Sequence, residues 1–239
     1  MSRLFGSLLR ALCCARLCAS LAPNLLPCVD LLTRAAATAR SSPSRPDARE
    51  VTAALAELSN AGAHPESWAA ALESDDRSCW SPVFSAKPEA LKTAMKAARA
   101  GGGADASNAA SGKYLSVPGG QTFRWAADGG EFSNKVRVFG GALELSFAGS
   151  FSMVGRRMTL IFQRLRVRLF WLLKLPQLDI REGSGIRSIL ERIRGGAKTA
   201  TGFRKRPSVY AWCYADERIC IAQGSSGSVA LWSRRPSPA

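Results

Sequence analysis

The stretch Leu143-Glu-Leu-Ser-Phe-Ala-Gly-Ser-Phe-Ser-Met-Val-Gly-Arg-Arg-Met-Thr-Leu-Ile-Phe-Gln-Arg-Leu-Arg-Val-Arg-Leu-Phe170 holds two runs in which apolar and polar residues alternate. Leu143, Leu145 and Phe147 fall on one parity, Ala142, Glu144 and Ser146 on the other. Further on, Leu165, Val167 and Leu169 alternate with Arg164, Arg166 and Arg168. Strand side chains point to opposite faces with a period of two, so this pattern reads as half-buried strands, not as helix. Thr159 to Phe170 is the longest strand candidate, and Gly149 and Gly155 read as turns.

The same parity extends outward in both directions. Phe123 and Trp125 share a face opposite Thr122 and Arg124, and Val136 and Val138 alternate with Lys135 and Arg137. Asp128-Gly129-Gly130 and Gly140-Gly141 mark tight turns between antiparallel strands. Tyr210–Tyr214, Glu217–Ala222 and Ser228–Trp232 supply the last strands, with Gly224-Ser-Ser-Gly227 between the final two. Trp80 to Phe84 reads as a strand, and Pro82, which cannot donate to a ladder, marks it as an edge or entry strand. Strands that are each half apolar close most naturally into a small antiparallel barrel, since closure removes the exposed edges.

Helical signals flank this meander. Asp47 caps a helix carrying Val51, Leu55 and Leu58, stopped by Asn60 and Gly62; Pro88 opens a second through Leu91 and Met95 to about Ala100. Residues 101–112 read as a flexible Gly/Ala/Ser-rich loop. Ser184 with Ile186, Ile189, Leu190 and Ile193 predicts a short amphipathic helix. The expected fold class is therefore mainly β, a barrel with an N-terminal helix and one or two short additional helices.

Residues 1–46 contain six arginines and one acid, Asp30, and Leu4, Leu8 and Leu12 recur at helical spacing. That composition predicts an organelle transit peptide, while Arg10 and Arg16 interrupt the apolar run that a secretory signal requires. The expected organisation is an address over 1–46, a barrel domain over 47–234 and a disordered tail over 235–239. No run of about 18 apolar residues is long enough for a spanning helix. Of seven cysteines, four precede residue 29, no CxxC pair occurs, and His64 is the single histidine, so no structural metal and no cofactor are expected. Cys79, Cys213 and Cys220 read as buried free thiols.

The formal charge is +15, and residues 153–206 carry fourteen Lys/Arg against three acids, supplying eleven of those fifteen charges. Such a surface attracts anions. Arg164, Arg166 and Arg168 share one strand face about 7 Å apart, a stripe suited to phosphate groups or equally to a solvated face. Peripheral contact with an anionic membrane or lipid-droplet surface is the expected partner. Nucleic acid is the weaker one, because base-stacking aromatics usually lie mid-sheet and Phe162, Phe170 and Trp171 stand at the strand's ends. The inward-facing candidates are Trp80, Phe84, Phe123, Trp125, Val136, Val138, Leu145, Phe147, Leu165, Val167, Ile219, Ile221, Val229 and Leu231, lining a cavity or filling a core. Catalysis finds no footing. His64 sits beside Pro65 with no triad partner in view, Gly112-Lys113 lacks the rest of a phosphate loop, and Asp216 and Glu217, adjacent on a strand, cannot converge.

The run from Tyr214 through Asp216, Glu217 and Ile221 to Gly224 and Gly227 resembles the closing motif of the plastid lipid-associated protein, or fibrillin, family. Gln121-Thr-Phe-Arg-Trp, Asn134-Lys-Val and Leu145-Ser-Phe-Ala-Gly-Ser-Phe look like that family's middle strands, and the likeness spans roughly 48–234. Ser78-Cys79 stands where the family often has a glycine before its first-strand tryptophan. The resemblance implies a lipocalin-like barrel, a plastid address with the mitochondrion as the alternative, and non-enzymatic binding of a lipophilic small molecule at thylakoid or plastoglobule surfaces. The competing reading is a basic barrel that binds nucleic acid or a protein partner in an organelle.

Overall fold

The computed structural model describes residues 25–39, 41–61, 65–74, 78–99, 111–116, 119–126, 129–139, 142–169, 173–174, 178–179 and 207–236. His64, most of the 101–112 loop, the 186–193 segment and the first 24 residues lie outside them. Four helices occur among the described residues: α1 (Leu26–Ala37), α2 (Ala48–Asn60), α3 (Trp68–Leu72) and α4 (Pro88–Arg99). The strands are β1 (Ser78–Ala86), β2 (Lys113–Tyr114), β3 (Gly119–Ala126), β4 (Gly129–Val138), β5 (Leu143–Val154), β6 (Arg157–Leu169), β7 (Leu173–Lys174), β8 (Leu178–Asp179), β9 (Ser208–Ala215), β10 (Ile219–Gly224) and β11 (Val229–Pro236).

All pairings are antiparallel, and the chain is mainly β, one large sheet running β11-β10-β9-β6-β5-β4-β3-β1-β2. The short strands β7 and β8 pair with β6 beyond the reach of β9. The β1 strand, next to last on this path, also pairs with β11 from Ser78–Pro236 to Ala86–Val229, and with β3 at the single pair Trp80–Gln121. The β1 strand is thus flanked on both sides: it enters the sheet first, one of the two readings of Pro82, and is not the edge strand of the other. A register shift between Pro82 and Phe84 accommodates the proline, and the β1 ladder continues past it.

Two further shifts, between Ala148 and Gly149 opposite β6 and between Ile221 and Ala222 opposite β9, leave Gln163 and Cys213 as extra residues. Each reverses the parity of the residues beyond it on its strand. Gly149, expected as a turn, lies inside β5 at the first of these shifts, where a Cβ would meet the Ile161 carbonyl oxygen and the Phe132 ring. Gly155 does make a turn, with φ +56° in the left-handed region.

The sheet buries both faces. On one, α1, α2 and α4 cover β1, β9, β10 and β11, packing Leu32, Leu55, Leu58 and Leu91 against Phe84, Ile219, Ile221 and Leu231. Asp47 caps α2, its Oδ1 accepting from the Arg49 N–H at 2.8 Å. The first helix was not expected. Leu25, Val29, Leu32 and Ala36 recur at helical spacing and are buried, so the packed unit extends upstream of the expected boundary at residue 47. At its other end β11 runs through Arg235 and Pro236, past the expected start of the tail. The opposite sheet face carries the second and third cores.

Candidate functional site

The fourteen residues expected to face one interior divide among three places. Phe84, Ile219, Ile221, Val229 and Leu231 are buried under the helices and belong to that core. They are not pocket residues. The shift after Pro82 turns Phe84 to the face opposite Trp80, and on β10 and β11 the apolar parity that looked inward is the one the helices cover. Trp80 and Phe123, with half-buried Trp125 against them, join Phe132, Phe151, Met158, Leu160 and Trp212 on the other face. Phe147, Leu165 and Val167 form the third cluster, with Leu145 and Leu143 partly buried beside it. Val136 is half-buried and pairs with Leu145; Val138 pairs through its backbone with Leu143.

The second cluster is a stack of rings near the β3–β4 and β5–β6 connections. Phe123 meets Phe151 edge-on at 5.6 Å and Trp212 at 5.8 Å, Trp125 meets Phe151 at 4.7 Å, and Trp212 meets Trp232 at 5.8 Å. Ring pairs at these separations fill space at ordinary packing density. Phe151 was legible in principle, since its parity continues that of Phe147 through Gly149. Trp212 was not, because Cys213 resets the parity of β9.

The α3 helix is tied to this cluster. Trp80 Nε1 donates to the Leu72 carbonyl at 2.8 Å, Arg234 Nη2 donates to the Ala71 carbonyl at 2.8 Å, and the guanidinium lies 4.5 Å from the Trp80 ring centre. A cation and an indole N–H thus meet the carbonyl end of a one-turn helix, where partial negative charge gathers. Ser74 fastens the next residues to β3, its N–H donating to the Phe123 carbonyl and its Oγ accepting from the Phe123 N–H.

The closing-motif residues build turns. Asp216 Oδ1 accepts from the N–H groups of Arg218 and Ile219, both at 2.7 Å, and Oδ2 accepts from the Tyr214 hydroxyl at 2.9 Å. Glu217 is exposed at the tip. Gly227, with φ +80°, donates to the Gly224 carbonyl at 2.9 Å to close the last hairpin.

The arginine stripe is unequal. Arg164 and Arg166 are exposed, whereas Arg168 is half-buried and lies 3.7 Å from Glu144, which also binds Arg137 at 3.0 Å. Arg168 and Arg137 thus share one carboxylate, so the three arginines of the stripe are not equivalent. Strand pairing sets Lys135, Ser146 and Arg166 in one cross-strand row, so β4 adds a cation to this face. A shallow concavity of about 320 Å³ lies there, bordered by Arg124, Lys135 and Arg164.

A larger cleft of about 1190 Å³, also lined by Lys135, opens between α1, Thr38, Ala39, Arg45 and the strands β1, β3 and β11. Cys28, Cys79, Cys213 and Cys220 are free thiols. Burial and the Glu57 carboxylate, which accepts from the Cys28 thiol at 3.2 Å, push the Cys28 pKa up to about 11, and burial raises Cys213 and Cys220 as well. Such thiols are poor nucleophiles. Among the described residues no helix is long and apolar enough to cross a membrane, and no three His, Cys, Asp or Glu side chains converge as metal ligands. Comparison of the chain with protein-family models, with curated proteins and with solved structures found no match.

Proposed function

We propose that the protein is a non-enzymatic carrier of a lipophilic small molecule, an isoprenoid or acyl lipid, built on a lipocalin-like barrel and working at plastid thylakoid or plastoglobule surfaces. The observation that carries this reading is the asymmetry of the apolar face away from the helices. Rings pack its β5–β6 hairpin end, while Val136, Leu143 and Leu145 at the β4–β5 hairpin end stay half-buried among the described residues. Apolar side chains left part-exposed beside a filled core are where a hydrophobic ligand gains most from burial. Closure into a barrel is supported by β1 pairing with both β11 and β3. The plastid address rests on the fibrillin resemblance and on an acid-poor leader. Because α1 is packed into the core, the removable part of that leader is assigned upstream of Leu25, where residues 1–24 hold Arg3, Arg10 and Arg16 and no acid.

Lipid extraction of the purified protein followed by mass spectrometry tests the reading. An isoprenoid or acyl lipid in stoichiometric amount, lost when Leu145→Gln and Val136→Asn are combined, is the expected result. Absence of any lipid, together with RNA binding that falls steeply with salt, would replace it with the nucleic-acid reading.

A further inference from the structure

The 1190 Å³ cleft lies where Ser81 Oγ donates to the Gly119 carbonyl at 2.9 Å, between β1 and β3. They pair only at Trp80–Gln121; beyond it Gly119 is paired to Val136 on β4, while on β1 the register shifts between Pro82 and Phe84. The cleft is closed on its far side by the last turns of α1 and by the segment after it. Among the described residues, Ala36, Val83, Leu115 and Ile219 line it, and so do six cations, Arg45, Lys135, Arg137, Arg218, Arg234 and Arg235, against one carboxylate, Glu217.

Three of those cations are committed to the fold. Arg137 binds Glu144, Arg234 binds the Ala71 carbonyl, and Arg235 donates to Ser233 Oγ at 3.0 Å and to the Ala36 carbonyl at 3.4 Å. The other three differ. Lys135 and Arg218 are exposed, and no ion pair or hydrogen bond engages either side-chain cation among the described residues. Arg45 sits over the Tyr114 ring, its Cζ 3.5 Å from the ring centre, and its side chain also hydrogen-bonds Tyr114, while its Nε is buried with no hydrogen-bond partner among the described residues. A buried N–H left without an acceptor costs free energy that an incoming oxygen recovers. Cations beside apolar walls also hold their field better than in open water.

We infer that this cleft binds the anionic head of a single-chain amphiphile, a carboxylate or phosphate, on Lys135, Arg218 and Arg45, with the first part of its chain against Ala36, Val83 and Leu115. The inference rests on the lipophile-carrier reading and narrows it: neutral isoprenoids lack the group these cations would meet. Lys135 and Arg137 line the cleft and alternate with Val136 along β4, so the cleft lies on the sheet face opposite the half-buried Val136, Leu143 and Leu145.

The test compares oleate, oleyl phosphate and oleyl alcohol binding to the full-length protein by calorimetry, at low and high salt, with the wild type and the combined Lys135→Gln and Arg218→Gln variant. Both anions should bind about tenfold more tightly than the alcohol, the scale of two part-exposed charge contacts. Salt and the double variant should each erase that difference while leaving alcohol binding and the thermal melt unchanged. A carboxylate site shows as preference for oleate, a phosphate site as preference for oleyl phosphate. Equal binding of all three, or an anion preference that the variant leaves intact, overturns the inference and spares the carrier reading. Binding of none overturns both. Should the variant fold poorly, the salt dependence of the wild type decides alone.

Discussion

Trp80 shows how much one side chain settles here. It is 1 % exposed, its indole N–H satisfies Leu72, and its ring carries the Arg234 guanidinium. Trp80→Phe keeps most of the apolar volume and removes the N–H, leaving a buried carbonyl without its donor, so chemical denaturation should report a loss of about 1–3 kcal/mol. A change indistinguishable from zero would mean that α3 is not held through this bond. Gly149 gives a second residue-scale expectation. Its Cβ would collide with the backbone of β6, so Gly149→Ala should cost about 1–3 kcal/mol, although the sequence reads this glycine as a turn where alanine would be nearly harmless.

At the scale of elements, α1 is the main departure from expectation. Its single arginine, Arg34, with its alanines and leucines continues the composition of an address, yet Leu32 is fully buried between α2 and the sheet and Arg235 reaches the Ala36 carbonyl. Leu32→Ala in the full chain should lower stability by about 2–4 kcal/mol, read from a urea transition. A disposable leader would tolerate the change, so an unshifted midpoint would return residues 25–37 to the address. Pro27 at the start and the recurrence of Leu25, Val29, Leu32 and Ala36 were the legible signals. Composition outweighed them because amphipathic presequence and amphipathic core helix obey the same periodicity.

Charge acts on the molecule as a whole. Arg164→Gln with Arg166→Gln should weaken flotation with anionic plastid-lipid liposomes by roughly tenfold or more, at about 1 kcal/mol per charge. Arg168→Gln should instead lower the melt, since it leaves Glu144 with Arg137 alone. Flotation that ignores both salt and the double change would mark the face as merely solvated. The buried thiols and phenols add a pH dependence: Cys28, Cys213, Cys220, Tyr114 and Tyr210 all have raised pKa values, burial being the leading cause. The folded state holds these protons more tightly than the unfolded chain, so stability is intact below pH 9 and falls as pH rises toward 11. Melting temperature measured across that window should decline, and less so in Cys28→Ala.

Along the chain alone, residues 143–170 already dictate strands, because side-chain parity is a local property. Asp47 and Pro88 likewise place two helix starts, Gly155 and Gly227 place turns, and parity puts Arg164 and Arg166 on one face. Which face is covered is not local. It depends on three extra residues, one each at the shifts near Pro82, Gln163 and Cys213, and on helices far away in sequence that reach β10 and β11. A single inserted residue turns every later side chain to the other side, and nothing in the alternation itself reveals on which partner strand the ladder slips. The cleft beside Lys135 likewise joins residues of α1, β1, β3, β4 and β11, which only the paired sheet and the packed helix bring together.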